Sequence, residues 1–171
     1  MAVNAWNTIY STTLSSDQSS IDITSIPNTY TDLVAIIYCR GTRSAADAEL
    51  LFTINGDSGA NYEIGRGNGA SGTFYSNIYT GQSNISLGNT AASNTGTIAY
   101  TAIELHINNY ATTGKYRSVI AYSTEPQVNV AGWRMGVWKN TADAINRITF
   151  TSELGNHAAG TTITLYGLKA A

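Results

Sequence analysis

Glu104 and His106 are the pair of side chains in this sequence best placed for acid–base chemistry. They lie two residues apart in a segment that has the composition of a β-strand, so both side chains emerge on the same face. A carboxylate beside an imidazole can orient the ring for proton transfer. An outward-facing row of polar side chains on an antiparallel sheet gives the same pattern, and we favour this second interpretation.

Two other runs resemble ligand-binding motifs but lack what the chemistry needs. The run Gly67-Asn-Gly69-Ala-Ser-Gly72 matches G-x-G-x-x-G, yet a dinucleotide site requires a helix after it. Residues 73–79 favour a strand, so we predict a flexible glycine-rich loop. The run Asn55-Gly-Asp57-Ser-Gly59 offers one carboxylate, whereas calcium needs about six to eight oxygen ligands. We predict a turn there, with a hairpin connection to the next strand.

The remaining catalytic and metal-binding patterns are absent or untestable from spacing. Two His and one Cys do not make a zinc set with ordinary spacing. No G-x-S-x-G nucleophile elbow occurs. The 11 carboxylates leave open a glycosidase pair assembled from distant strands. We therefore predict that the protein is not an enzyme and has no catalytic, metal-binding or cofactor-binding residues.

The aromatic residues provide the remaining functional candidates. Tyr62, Tyr75 and Tyr79 lie in or beside a glycine-rich region, where exposed rings could stack on sugars or anchor a protein interface. Ordinary packing is the alternative, because Tyr is a favoured strand residue. Trp133 and Trp138 fall on opposite faces of one predicted strand. The three tyrosines are our candidate contact residues.

Short segments rich in Ile, Val, Tyr and Thr, bounded by Gly or Asn, indicate strands joined by turns. Helical candidates are confined to residues 42–49 and a possible turn at 141–144, both too short for an amphipathic face. Residues 65–94 are predicted to be long loops that flank one strand. About ten strands are expected, from the segments 7–14, 20–26, 32–40, 50–55, 62–65, 73–80, 97–108, 116–123, 133–139, 146–152 and 161–168.

Two of these segments indicate how the strands are arranged. Segment 32–40 is apolar on both faces, which predicts a central strand covered on both sides. In segment 97–108 the apolar positions change phase, which predicts a β-bulge near Ala102. Such a bend lets a strand pass from one sheet to another. We therefore predict an all-β fold, a two-sheet antiparallel sandwich of the jelly-roll type with little helix.

Length and composition fit a single domain. The 171 residues suffice for one core, and we predict one β-sandwich over 1–171, with 1–20 as an N-terminal arm or first strand. Charged residues make up 12% of the chain and the net charge is −2, which gives no field that attracts phosphate backbones. We predict no nucleic-acid partner. Cys39 is the single cysteine and is predicted to be a buried thiol.

The sequence also predicts that the chain has no membrane segment. Its longest apolar stretch, residues 33–39, is far shorter than the roughly 20 residues of a spanning helix. The N-terminus lacks the charged start and apolar run of a signal peptide. We expect synthesis in the cytosol without secretion.

Segments along most of the chain resemble a β-sandwich module of structural proteins from tailed bacteriophages, especially marine and cyanobacterial ones. The similar segments are SIPNTYTDL (25–33), LFTINGDSGANY (51–62), INNY (107–110), KYRS (115–118), GVWK (136–139), INRI (145–148) and GTTITLYG (160–167). The resemblance implies a non-enzymatic virion protein, made in the host cytoplasm. Within that class it favours a capsid decoration or cement protein that stabilises the head lattice, because the chain has no long fibrous repeat.

The resemblance also implies the partners of the chain. These are the major capsid protein or other virion proteins, with a homotrimer as the oligomer. The alternative function is a receptor- or glycan-binding module of a tail appendage or fibre. A jelly-roll glycan hydrolase or lyase ranks lowest, because no acid pair can be named.

Overall fold

The computed structural model describes residues 6–44, 47–93, 98–126 and 129–169. Over these residues the backbone forms twelve strands and no α-helix. The strands are β1 (Trp6–Thr13), β2 (Ser20–Ile23), β3 (Asp32–Cys39), β4 (Asp47–Ile54), β5 (Tyr62–Ala70), β6 (Thr73–Gln82), β7 (Ile85–Ala91), β8 (Thr101–Ile107), β9 (Arg117–Glu125), β10 (Val130–Trp138), β11 (Ile148–Ser152) and β12 (Thr162–Leu168).

The strands form two antiparallel sheets that pack face to face. The large sheet has eight strands in the order β1-β12-β3-β8-β9-β10-β5-β6, and the small sheet has four in the order β2-β11-β4-β7. Without the strand pairs β5–β6 and β9–β10, the order β1-β12-β3-β8 faces β2-β11-β4-β7, which is the arrangement of an eight-stranded jelly roll. Both extra pairs extend the large sheet beyond β8. The predicted two-sheet, jelly-roll-like sandwich is confirmed.

The glycine-rich region is strand, so the prediction of long loops over residues 65–94 is wrong. Gly67 and Gly69 lie within β5, and Ser71 and Gly72 form a two-residue turn to β6 with φ values of 49° and 78°. Positive φ at both positions is the type I′ geometry that suits a hairpin. A Cβ on Gly67 would lie 2.6 Å from the Trp133 ring. Glycine therefore makes room for an aromatic ring here and does not mark a loop.

The predictions for the segment around β4 need two corrections. The helix expected over 42–49 is wrong in its described part, because β4 begins at Asp47; residues 45 and 46 lie outside the described residues. The expected hairpin after Asn55 is also wrong. Asn55 and Gly56 do form a turn, with φ values of 52° and 70°, but it leads from β4 in the small sheet to β5 in the large sheet.

The bulge predicted near Ala102 does not occur. β8 begins at Thr101 and pairs with β3 and β9 without a register shift. Ile98 lies before the strand and is 89% exposed, so the apparent change of phase came from including it. Register shifts occur instead where β1 pairs with β12, β4 with β7 and β5 with β6.

The core lies between the two sheets and follows the alternation of each strand. Leu50, Phe52 and Ile54 all point inward from β4 and are at most 1% exposed, as their two-residue spacing predicts. Phe52 packs on Phe150 of β11, with ring centroids 5.5 Å apart. Cys39 is buried as predicted, and desolvation raises the pKa of its thiol to about 12.

A glycine in β7 fixes how closely the two sheets approach, and it gives a test of the packing. Gly88 has φ of 132°, and a Cβ there would lie 2.4 Å from the Ser123 hydroxyl on β9. We expect Gly88→Ala to lower the free energy of unfolding by about 1–3 kcal/mol, through backbone strain and overpacking. Urea denaturation measures the change.

Gly69→Ala is the matched control, because the nearest atom to its added Cβ is a carbonyl oxygen 3.8 Å away. We expect a change within about 0.5 kcal/mol for this variant. Ser123→Gly in the Gly88→Ala background should recover part of the loss, because it removes the contact and leaves the strained φ. Equal stability of the two alanine variants would contradict this description.

Candidate interaction surface

The side of the large sheet that faces away from the small sheet carries exposed large apolar side chains. We call this side the outer face and define it by Ile36, Tyr38, Phe74, Ile78, Tyr122, Trp133 and Met135. All of these except the half-buried Trp133 are between 43% and 84% exposed. Exposed apolar patches of this kind mark interaction sites on protein surfaces.

The exposure of β3 on the outer face corrects the prediction for this strand. Leu33, Ala35 and Ile37 point into the core and are at most 1% exposed, but Ile36 and Tyr38 on the opposite face are 43% and 46% exposed. The small sheet covers one face of the large sheet only. Segment 32–40 is therefore central in its sheet, as predicted. On its outer side Val34 is fully buried, but the strand is not covered there at Ile36 and Tyr38.

Two shallow depressions interrupt the outer face. The first, of about 460 Å³, lies where the small side chain of Ala102 is flanked by Ile36 and Tyr122. The second, of about 510 Å³, lies over Gly65 between Trp133 and Ile78. Both are wide and open, so they suit protruding side chains of another protein better than an enclosed small molecule.

Two pairs of ionisable side chains lie on the outer face. Glu104 Oε1 lies 2.6 Å from His106 Nε2, and Glu63 Oε1 lies 2.7 Å from Lys139 Nζ. Glu104 and His106 are both partly exposed on the open face, so the outward-facing interpretation of this pair is confirmed. Pairs of this type contribute little to stability.

Tyr62 is not a contact residue, contrary to the prediction, because it is fully buried. Its hydroxyl accepts a hydrogen bond from the Ile54 amide at 3.0 Å and donates one to the Asp57 carbonyl at 2.9 Å. Burial raises its pKa to about 12. The side chain therefore holds the turn between the sheets in place and cannot contact a glycan.

Asp57, the carboxylate of the run that resembles a calcium loop, also forms hydrogen bonds within the chain. It accepts hydrogen bonds from the Gly59 amide, the Asn61 side chain and Trp138 Nε1, the last at 2.7 Å. Partial burial opposes ionisation, but these bonds hold the pKa of Asp57 below its usual value. The prediction of a turn is confirmed. Within the described ranges, no three His, Cys, Asp or Glu side chains are grouped to hold a metal ion.

Tyr75 and Tyr79 lie together on one face of β6, opposite Phe74 and Ile78. Tyr75 is 60% exposed, whereas Tyr79 is half-buried with the Arg66 guanidinium 4.9 Å from its ring centroid. The structure therefore places two of the three predicted tyrosines on the same face of one strand. It also separates them from Tyr62.

Strand β6 is the free edge of the widened large sheet. Nearly all of its ten residues are exposed, and the sequence TFYSNIYTGQ has no charged residue and no proline. Strand β1, at the opposite edge, is also uncharged. Edge strands of monomers are normally protected by lysine, proline or bulges. Each edge strand carries one bulge, at the register shifts with β12 and β5, but neither has a lysine or a proline. Outside the bulges, both edges of the large sheet offer main-chain groups for pairing with another chain.

Comparisons with known proteins identify no family for this chain. No family model matches it, and no curated protein does. Among solved structures it is similar to the galectin LEC-6 of Caenorhabditis elegans, with 10% sequence identity over 99% of each chain and a TM-score of 0.32. The described residues contain no helix long and apolar enough to cross a membrane. By its own strand order the chain belongs to the class of jelly-roll β-sandwiches, with one sheet widened and its outer face open.

Proposed function

We propose that this chain is a non-enzymatic structural protein of a tailed-bacteriophage virion, and that it decorates the head and stabilises the capsid lattice. The observation that carries the proposal is the exposed apolar outer face. The resemblance of segments along the chain to phage structural proteins supplies the biological setting. A protein that binds only the assembled lattice stabilises it by mass action and needs no chemistry.

The composition of the outer face suits the surface of capsid subunits as its partner. Tyr, Trp, Phe and Met are enriched in the cores of protein interfaces, and charged residues are depleted there. The outer face has a similar composition, and two pairs of its ionisable side chains are already in contact within the chain. Attachment through this face would bury Ile36, Tyr38, Tyr122 and Met135 against neighbouring subunits.

Substitutions on the outer face test the decoration function. We expect the double variant Tyr122→Ser, Met135→Ser to bind heads at least about 30-fold more weakly, the loss that corresponds to one interface hot spot of about 2 kcal/mol. Co-sedimentation with heads of the encoding phage that lack this protein measures the binding.

Thr151→Ala, on the opposite side of the sandwich, should bind like the wild type. Equal binding by the double variant would contradict the role of the outer face. Cryo-electron microscopy of intact particles tests the location, and density for this chain confined to the tail would refute the head assignment.

We propose further that three copies associate, with β6 of one copy pairing with β1 of the next. Both edges are uncharged and free of proline. A head-to-tail contact between different edges closes into a ring when the rotation per copy fits. The trimer itself comes from the resemblance, and the two edges provide a route to it.

A lysine on the free edge tests this assembly. We expect the wild type to have the mass of a trimer and Ser76→Lys, on β6, to have the mass of a monomer, because an edge lysine opposes pairing. Size-exclusion chromatography with light scattering at micromolar concentration measures both. Ser118→Lys, on the interior strand β9, should remain trimeric. A monomeric or dimeric wild type would contradict the proposal.

The second candidate function is a receptor- or glycan-binding module of a tail appendage. Tyr75 favours it, because this ring is exposed at the sheet edge, on the same face of β6 as the half-buried Tyr79. Exposed tyrosine rings combine an apolar face with a polar tip, which suits stacking on sugars.

A glycan array with the purified chain tests the second candidate. We expect Tyr75→Ala to weaken binding about tenfold, equivalent to about 1.4 kcal/mol. Tyr116→Ala is the matched control, because Tyr116 is equally exposed at 60% but lies outside β6. A wild-type chain that binds no glycan, or equal losses in the two variants, would remove this candidate.

A further inference from the structure

The two edge strands of the large sheet run in opposite directions. Seven neighbouring pairs separate β1 from β6 in the strand order, and each pair is antiparallel. A rotation about an axis along the strands keeps the direction of every strand. In a ring with such an axis, β6 of one copy therefore meets β1 of the next in antiparallel orientation.

The side chains of β1 divide between the two faces of the sheet with a break in their spacing. Trp6, Thr8 and Ser11 lie on the outer face, and all three are exposed. Ile9 and Tyr10 both pack against the core on the inner face, because β1 has its register shift with β12 between Thr8 and Tyr10. A strand that pairs with the free side of β1 has to fit this bulge.

Strand β6 presents its side chains at regular spacing. Phe74, Ser76 and Ile78 lie on the outer face, and Tyr75 lies on the inner face. Phe74, Tyr75 and Ile78 are 63%, 60% and 84% exposed. The strand stays regular over residues 73–79, because its register shift with β5 comes after them. A regular stretch of this length can pair with the whole of β1 on both sides of its bulge.

We propose that β1 of one copy pairs with β6 of the next in a single register, in which Trp6 lies opposite Ile78. Ile9 is the extra residue of the bulge in this contact, as it is within the chain. The inference rests on the proposed trimer and specifies the contact that builds it. The opposed residues are Trp6 with Ile78, Asn7 with Asn77, Thr8 with Ser76, Tyr10 with Tyr75, Ser11 with Phe74 and Thr12 with Thr73.

The faces of the two strands select this register from its neighbours. A slip by one residue would place outer-face side chains of β1 beside inner-face side chains of β6. A slip by two would keep the faces but would move Trp6 beyond the regular part of β6. The proposed register instead sets the exposed Trp6 against the exposed Ile78, tyrosine against tyrosine, and hydroxyl against hydroxyl. Cross-strand pairs of these kinds stabilise antiparallel sheets.

Trp6 also finds an apolar surface beyond Ile78. Ile78 lies opposite Gly65 in the β5–β6 register, and Gly65 is the floor of the second depression of the outer face. A ring that packs on Ile78 therefore lies at the rim of this depression. Within its own chain, the Trp6 ring contacts Tyr166 edge to face, with ring centroids 5.4 Å apart. The contact thus joins Tyr166, Trp6 and Ile78 in one apolar row across the boundary between copies.

The area and charge of the contact fit a second copy as the partner. Neither strand has a charged residue that pairing would bury. Trp6, Phe74, Tyr75 and Ile78 are between 49% and 84% exposed, and covering them removes roughly 400 Å² of side-chain surface from water. That is about a third of the area of a stable interface, roughly 1,200 Å². The main chains of both strands add to it, and each copy in a ring makes the contact twice.

Disulfide cross-linking of the purified protein tests the register. Thr8→Cys with Ser76→Cys sets two cysteines directly opposite each other, at a Cα separation of about 4.5–5.5 Å that a disulfide can span. Six strands separate the same positions within one copy, so the disulfide joins different copies. We expect mild oxidation at micromolar concentration to give covalent dimers and then trimers, with no larger species. Cys39 is buried and is common to every variant.

Ser11→Cys with Ser76→Cys is the matched control, because these positions oppose each other only after a slip by two residues. We expect it to cross-link at least tenfold more slowly. Cross-linking as fast as that of the first variant, or covalent dimers of Ser76→Cys alone, would overturn the register. A wild-type trimer whose Thr8→Cys, Ser76→Cys variant does not cross-link would refute the register and leave the trimer. A monomeric wild type would refute the trimer itself.

Trp6→Ser tests the anchor of the contact. We expect the concentration at which half of the trimer dissociates to rise at least tenfold in this variant, as measured by sedimentation velocity on dilution. Leu154→Ser is the control, because Leu154 is as exposed as Trp6 but lies between β11 and β12, and it should associate like the wild type. Equal dissociation of Trp6→Ser and the wild type would contradict the pairing of Trp6 with Ile78.

Discussion

The close approach of β7 to β9 and β10 holds the widened half of the large sheet against the small sheet. Glycines make this approach possible: Gly88 leaves room for Ser123, and Gly136 leaves room for Ile85, whose side chain would lie 2.5 Å from a Cβ at that position. Because interiors are packed as densely as organic crystals, such contacts allow little adjustment. These contacts join the added strand pairs to the jelly-roll core.

The unequal width of the two sheets explains where the functional candidates lie. Four strands cannot cover both faces of eight. Much of the outer face of the large sheet therefore stays open and retains exposed apolar residues such as Tyr122 and Met135, although Val34 is buried there. Beyond the limit of the small sheet, the inward-facing positions of β5 and β10 carry arginines where the core strands carry Ile and Leu. The same geometry thus places an apolar outer face and two arginine side chains on opposite sides of one sheet.

Local alternation was enough to predict most strands and the sandwich, because residues such as Leu50, Phe52 and Ile54 repeat at the strand period. It failed at Gly67, where the glycine makes room for the Trp133 ring of a strand about 65 residues away in sequence. Alternation also shows that β3 has two apolar faces but not which one the small sheet covers.

The candidate site depended even more on contacts between distant segments. Tyr62 looked like an exposed ring, but its burial depends on Ile54, Asp57 and the passage between sheets. Arg134 gave no signal in the sequence, because only the β10–β5 register places it beside Arg66. The burial of a residue and the charges around it depend on its neighbours in space, which a single sequence does not show.

Cys39 makes the core observable without any change to the chain. Its thiol is buried on β3, between β12 and β8, and stays protonated far above neutral pH. Because thiolate is the reactive form, an alkylating reagent modifies this cysteine only when the two layers separate. The rate of alkylation therefore reports how often the sandwich opens, and a comparison of free subunits with assembled particles shows how far assembly suppresses that opening.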